Sequence, residues 1–235
     1  SSDLEIPTEG VVPLSVTCDH VGPITRSVGD ARLMYAVLAA APSPAAPRAA
    51  GSLHLRIPRG HLFARLDSDV RRVFVATCDR LARAGVRLTD VSIADAATTP
   101  DVYLRIALFE AVQYHAPMLA SSPERYTPGV RARLEAGRSI TPSDYERALR
   151  ERETLIQQVD AAVDGGNALL LPSLAIEPQP IGTTTVRVDN ADEPVRPMAL
   201  RETQLFNVTG HPAITLPCGQ TSHGFPVRSE EHTSE

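Results

Sequence analysis

A strand, a helix and a second strand are predicted within residues 53–93, and this order constrains the fold more than any other feature. LHLRI (53–57) and VRLTDVSI (86–93) are short runs typical of strands. Four apolar side chains between them recur at helical spacing: Val70, Phe74, Cys78 and Leu81. Gly85 is suited to end that helix in the left-handed conformation. Because strands joined by a helical crossover lie parallel, the unit predicts an α/β fold.

Several further elements are expected around this unit. VVPLSV (11–16) is predicted to be a strand, and ARLMYAVLAA (31–40) a helix that is apolar almost all round and should therefore be buried. ALLLPS (168–173) and AITLP (213–217) are predicted strands, and a helix is expected within MALRETQLFNVTG (198–210). Three helix starts share a capping Thr followed by Pro: Thr99-Pro100, Thr127-Pro128 and Thr141-Pro142.

Composition excludes several classes of function. The net charge is −5, Trp is absent and aromatic residues make up 4%, which argues against direct nucleic-acid binding. No apolar run is long enough to span a membrane and the first residues do not resemble a signal peptide, so we expect a cytoplasmic protein. Three widely spaced cysteines fit reduced thiols, and seven histidines without paired spacing predict no metal site.

Three segments together point to a known family. They are GVVPLSVTCDHVGPITRSVGDA (10–31), ALLLPSLAIEPQPIG (168–182) and TQLFNVTGHPAITLPCG (203–219). In this order they resemble the amidase signature family. The first match is the densest, and its matching residues are Pro13, Leu14, Ser15, Asp19, Val21, Gly22, Pro23, Arg26, Val28 and Asp30.

The resemblance implies an α/β fold with a mixed sheet surrounded by helices, and hydrolysis of a small-molecule carboxylic amide without a cofactor. In that family a serine attacks the carbonyl carbon, a second, cis-configured serine relays its proton, and a neutral lysine is the final base. The family's lysine and its Gly-Ser loop precede the position matched by Gly10. Since all 23 basic residues here are Arg, we expect a fragment whose triad lies upstream of Ser1, and no catalytic residue is assigned within it.

Four residues are predicted to bind substrate: Tyr114, His115, Pro172 and Phe206. His115 also fits a core histidine with its hydrogen bonds satisfied. Three serines are interpreted as turn, cap or packing residues because none lies in a nucleophile elbow: Ser15, Ser27 and Ser173. Asp19 is predicted to accept hydrogen bonds in a turn, and Cys218 to pack as a small apolar residue.

The chain is expected to divide into a partial amidase signature domain (1–227) and a foreign tail (228–235). The tail reads RSEEHTSE, which the start of a common short-read sequencing adapter encodes in frame. Two other functions stay open: the glutamine-hydrolysing subunit of a transfer-RNA-dependent amidotransferase, and a non-catalytic scaffold that keeps the fold. The oligomeric state is open as well, a homodimer included.

Overall fold

The computed structural model describes residues 6–40 and 48–232. Its helices are α1 (Val28–Leu38), α2 (His61–Ala64), α3 (Ser68–Arg83), α4 (Thr99–Ser121), α5 (Pro128–Gly137), α6 (Pro142–Val163), α7 (Val195–Leu200) and α8 (Gln204–Thr209). Its strands are β1 (His54–Arg59), β2 (Arg87–Ser92), β3 (Ala168–Pro172), β4 (Thr185–Val188), β5 (Ala191–Pro194), β6 (Ala213–Gln220) and β7 (Pro226–His232). None of the described helices is both long and apolar enough to cross a bilayer.

The chain forms two compact units. We call the first the helical unit; it contains Leu104–Ala148 and the described part of Ser1–Pro47. We call the second the sheet unit; it contains Arg48–Tyr103 and the described part of Leu149–Glu235. One boundary falls between residues 47 and 48 and the other two fall within α4 and within α6, so neither unit is continuous in sequence. The sequence predicts one partial domain over 1–227 and does not predict this division. The domain assignment stays a prediction.

The sheet unit holds a mixed five-stranded sheet in the order β2-β1-β3-β7-β6. β1 pairs in parallel with β2 and with β3, whereas β7 runs antiparallel to both β3 and β6. The parallel pairing of β1 and β2 around α3 confirms the strand-helix-strand prediction for 53–93. All five residues of β3 are buried, as predicted for ALLLPS, because this strand lies inside the sheet.

The apolar face of α3 packs on the antiparallel half of that sheet. Val70 and Val73 form a buried cluster with Cys218 of β6 and Val227 of β7. In the predicted apolar stripe, Val70 and Phe74 are buried as expected, but Cys78 and Leu81 are only half-buried. Four residues of the helix are buried: Val70, Val73, Phe74 and Thr77. The chain leaves α3 through Gly85, whose φ of +92° confirms the expected left-handed turn.

Strand β7 extends into the predicted foreign tail. Residues 229–232 pair with β3, and residues 228–232 pair with β6. Ser229 is 4% exposed. The tail assignment itself rests on its coding sequence and stays a prediction, and residues 233–235 lie outside the described residues.

The other local predictions have mixed outcomes. Helices α5 and α6 begin at the predicted Pro residues, and Thr141 and Asp144 form the reciprocal capping box, with both backbone N–H groups bonded at 3.2 Å. The region 198–210 contains α8 and the end of α7 rather than one helix. VVPLSV (11–16) forms an irregular loop with bends instead of the predicted strand. The short β4-β5 hairpin was not predicted.

The predicted burial of the first helix is wrong for the described residues. α1 exists, with Ser27 as its N-cap, but none of its residues is buried. Leu33 is 67% exposed and Val37 80%. Apolar composition shows that a helix favours burial, whereas burial itself requires a facing surface that local sequence does not encode.

We predict that Gly137→Ala destabilises the helical unit by about 1–3 kcal/mol because it overpacks the contact between α5 and α4. A Cβ atom at Gly137 would lie 2.8 Å from Val112 Cγ2 and 3.1 Å from the Leu108 carbonyl oxygen. Gly129 in the same helix has nothing within 4 Å of such an atom, so Gly129→Ala is the matched control and should cost nothing. Urea unfolding measures both, and equal stability of the two variants would contradict the prediction.

Candidate functional site

A buried carboxylate in the helical unit collects four hydrogen bonds. Glu110 of α4 is 9% exposed. Its Oε2 accepts from Ser15 Oγ at 2.5 Å and from the Thr17 backbone N–H at 3.1 Å. Its Oε1 accepts from Thr17 Oγ1 at 2.5 Å and from Tyr145 Oη at 2.7 Å. Because the carboxylate is buried and each of its oxygens already accepts two hydrogen bonds, it is suited to holding structure in place rather than to taking a proton from a substrate.

The loop at 14–19 reaches Glu110 because Asp19 folds it into a turn. The Asp19 carboxylate accepts from the backbone N–H groups of Leu14 at 2.8 Å and Ser15 at 3.0 Å. Ser15 Oγ in turn accepts from the Cys18 N–H at 3.1 Å. These bonds confirm that Asp19 and Ser15 act as turn residues, as the sequence predicts.

Tyr145 joins this network from α6. Its ring stacks on Phe109 of α4, with centroids 4.5 Å apart and planes at 16°. Burial, followed by the hydrogen bond to Glu110, raises the pKa of Tyr145 to about 12. The phenol therefore stays protonated at neutral pH and donates to the carboxylate.

Beside this network lies a cavity of about 430 Å³, which we call the Glu110 cavity. Its lining residues are Pro13, Leu14, Val16, Phe109, Glu110, Gln113, Tyr114 and Tyr145. Apolar and aromatic walls with a few polar groups are typical of a small-molecule site. The volume and lining suit an apolar group of a ligand, with Gln113 as a polar side chain in the wall.

The four predicted substrate-binding residues lie in different surroundings. Tyr114 lines the Glu110 cavity and is 49% exposed. His115 instead points a ring nitrogen at Tyr126 Oη, 2.9 Å away, which fits the alternative of a histidine satisfied by its neighbours. Pro172 and Phe206 belong to the sheet unit, where both are buried, at the end of β3 and in α8. The substrate role of all four stays a prediction.

The other candidate nucleophiles are a helix cap, Ser27, and two buried residues, Ser173 and Cys218. Ser27 accepts from the Asp30 N–H at 3.1 Å and caps α1. Ser173 is 4% exposed. Burial raises the pKa of the Cys218 thiol, whose Sγ lies 3.4 Å from the Val227 carbonyl oxygen. Burial also raises the pKa of Cys78, to about 11. Neither thiol is activated as a nucleophile, which agrees with the interpretation of Cys218 as a packing residue.

Comparison with known proteins decides the family. A sequence model of the family described as Amidase matches residues 1–228. The chain belongs to the amidase family. This result confirms the resemblance carried by the three sequence segments.

Individual amidase relatives agree over nearly the whole chain. An amidase of Pseudomonas putida is 34% identical over 231 residues, which cover 92% of this chain and 49% of that protein. A 2-amino-5-chloromuconic acid deaminase of Comamonas testosteroni is 28% identical over 234 residues, covering 94% of this chain and 48% of that protein. The chain thus spans about half the length of the curated relatives that it matches.

A solved structure confirms the fold class. A crystal structure of an amidase superimposes with a TM-score of 0.92 at 31% sequence identity, over 98% of this chain and 52% of that chain. The mixed sheet with its helices is therefore the amidase signature fold that the sequence segments imply.

Proposed function

We propose that the protein to which this chain belongs hydrolyses a carboxylic amide of a small molecule, and that residues 1–235 supply scaffold and part of the acyl pocket. Membership of the amidase family supports the reaction class. The Glu110 cavity supports the pocket, because its apolar walls suit the acyl part of an amide.

The observation that carries the rest of the proposal is the absence of lysine among the 235 residues. The family mechanism passes the proton of the attacking serine through a second serine to a neutral lysine, and then to the leaving amine. An Arg cannot replace that lysine, because its guanidinium stays protonated in proteins. We therefore propose that these 235 residues alone do not hydrolyse amides and that the triad is contributed from outside them.

A second candidate function is that of the glutamine-hydrolysing component of a transfer-RNA-dependent amidotransferase. A relative from Koribacter versatilis, which belongs to a glutamyl-tRNA(Gln) amidotransferase, is 24% identical over 260 residues, covering 93% of this chain and 52% of that protein. The higher identity of 34% to the Pseudomonas putida amidase favours the stand-alone hydrolase.

Ammonia release from simple aromatic and aliphatic primary amides tests the proposal. The purified 235-residue chain should match a buffer blank, whereas the full reading frame should turn over and lose its activity when its family-matched lysine is changed to alanine. Glutamine as the only substrate would favour the amidotransferase function. An inactive full reading frame would favour the scaffold, and activity of the 235-residue chain that depends on Ser15, Ser173 or Cys218 would overturn the proposal.

A further inference from the structure

Three side chains with metal-binding groups meet in the sheet unit, far from one another in sequence. Asp69 lies in the first turn of α3, Glu177 in the loop after β3, and His223 in the turn between β6 and β7. One ligand atom from each lies within 4.8 Å of the other two. A carboxylate pair with an imidazole is a donor set that zinc accepts.

Asp69 is held in place and charged. The Ser222 backbone N–H donates to one carboxylate oxygen, and Arg72 lies 3.0 Å from the other. Hydrogen bonding from Ser222 lowers the pKa of Asp69 to about 2. The hydrogen bond from Ser222 therefore anchors the carboxylate to the same turn that carries His223.

Glu177 has an unused oxygen. Its side chain is 13% exposed, and Oε2 lies 3.0 Å from His223 Nδ1. Its Oε1 is shielded from solvent and has no hydrogen-bond partner among the described residues. Burying a carboxylate oxygen without a partner is unfavourable, and a bound cation would satisfy it.

We propose that Asp69, Glu177 and His223 form a site for a divalent transition-metal ion, with Zn²⁺ as the probe. Two carboxylates and one imidazole supply three ligands, and water completes the coordination shell. Zinc binds the neutral imidazole, so it displaces the proton that His223 shares with Glu177. The ion would fix the β6-β7 turn to the start of α3 and to the loop after β3. The simpler alternative is an ion pair between Glu177 and His223 that binds no metal.

Equilibrium dialysis of the 235-residue chain against Zn²⁺, followed by metal analysis, distinguishes the two. We expect one zinc per chain and a higher unfolding midpoint with zinc present. His223→Ala and Glu177→Gln should each weaken binding roughly tenfold or more, because the first removes the imidazole and the second replaces a charged carboxylate with a neutral amide. His223 is 71% exposed at its side chain, so its removal should leave the fold intact, which circular dichroism checks.

Asp160→Asn is the matched control. Asp160 lies 3.0 Å from His211 in a second carboxylate-histidine pair, which belongs to no three-residue cluster among the described residues. This variant should bind zinc as the unchanged chain does. The proposal is overturned if the unchanged chain retains no zinc, or if His223→Ala and Glu177→Gln bind zinc as tightly as Asp160→Asn.

Discussion

Glu110→Ala is expected to lower the free energy of unfolding of the helical unit by roughly 3 kcal/mol, because it leaves one buried and three half-buried donors without an acceptor. Ser15 is 1% exposed, and its hydroxyl loses its acceptor. The Thr17 backbone N–H and the Tyr145 phenol lose the same acceptor. The loop at 14–19 also loses its attachment to α4. Urea unfolding followed by tyrosine fluorescence measures the change, since Tyr145 stacks on Phe109 within the network.

Two variants separate the network from a general effect of losing a glutamate. Glu110→Gln keeps one acceptor oxygen for Ser15 and the Thr17 N–H, and its NH₂ group can donate to hydroxyls that rotate to accept, so its cost should stay near 1 kcal/mol. Glu135→Ala removes an exposed glutamate of α5 and should be close to neutral. A Glu110→Ala chain as stable as Glu135→Ala would show that the network contributes nothing to stability.

Removing residues 228–235 tests whether the predicted foreign tail stabilises the fold. Its strand pairing and its foreign coding sequence suggest opposite effects on the unfolding midpoint. If the foreign segment does not pack, because it was never selected to do so, its removal leaves the unfolding midpoint unchanged. The pairing of 229–232 with β3 and of 228–232 with β6 predicts a large loss, because each lost ladder hydrogen bond contributes about 1 kcal/mol. We expect the loss, since β3 is fully buried and would acquire an open edge.

The control is removal of residues 233–235 alone, which leaves β7 whole and should not change the midpoint. Loss of stability in the longer deletion would not exclude an adapter origin, since backbone hydrogen bonds form whatever the side chains are. It would show that a segment of foreign origin completes the sheet. An unchanged midpoint in the longer deletion would contradict the contribution of β7.

The elements that could be predicted from sequence are those whose signals are local. The helical spacing that begins at Val70 and the apolar run at 168–173 require only short-range patterns, and both predictions are confirmed. The helix starts at Thr127-Pro128 and Thr141-Pro142 are confirmed for the same reason. The order of the strands is not local: nothing between 213 and 232 indicates that β7 separates β3 from β6.

The candidate sites depend on contacts between distant residues, so sequence found only part of them. Tyr114 lines the Glu110 cavity, and its role in substrate binding stays a prediction. Glu110 was missed, although a single acidic residue in the apolar run ALFEAV (107–112) was a usable signal of a buried polar network. The cluster of Asp69, Glu177 and His223 has no spacing pattern, because three separate elements supply its members.

The position of β7 also determines when the sheet unit can finish folding during synthesis. Synthesis proceeds from the N-terminus, so β3 is complete long before residue 226 leaves the ribosome. Until then the side of β3 that later pairs with β7 is an unpaired, strongly apolar edge, of the kind that binds other chains or chaperones. Folding of the sheet unit should therefore finish only after residues 226–232 have left the ribosome, and yields in cells should fall most for variants that delay the arrival of β7.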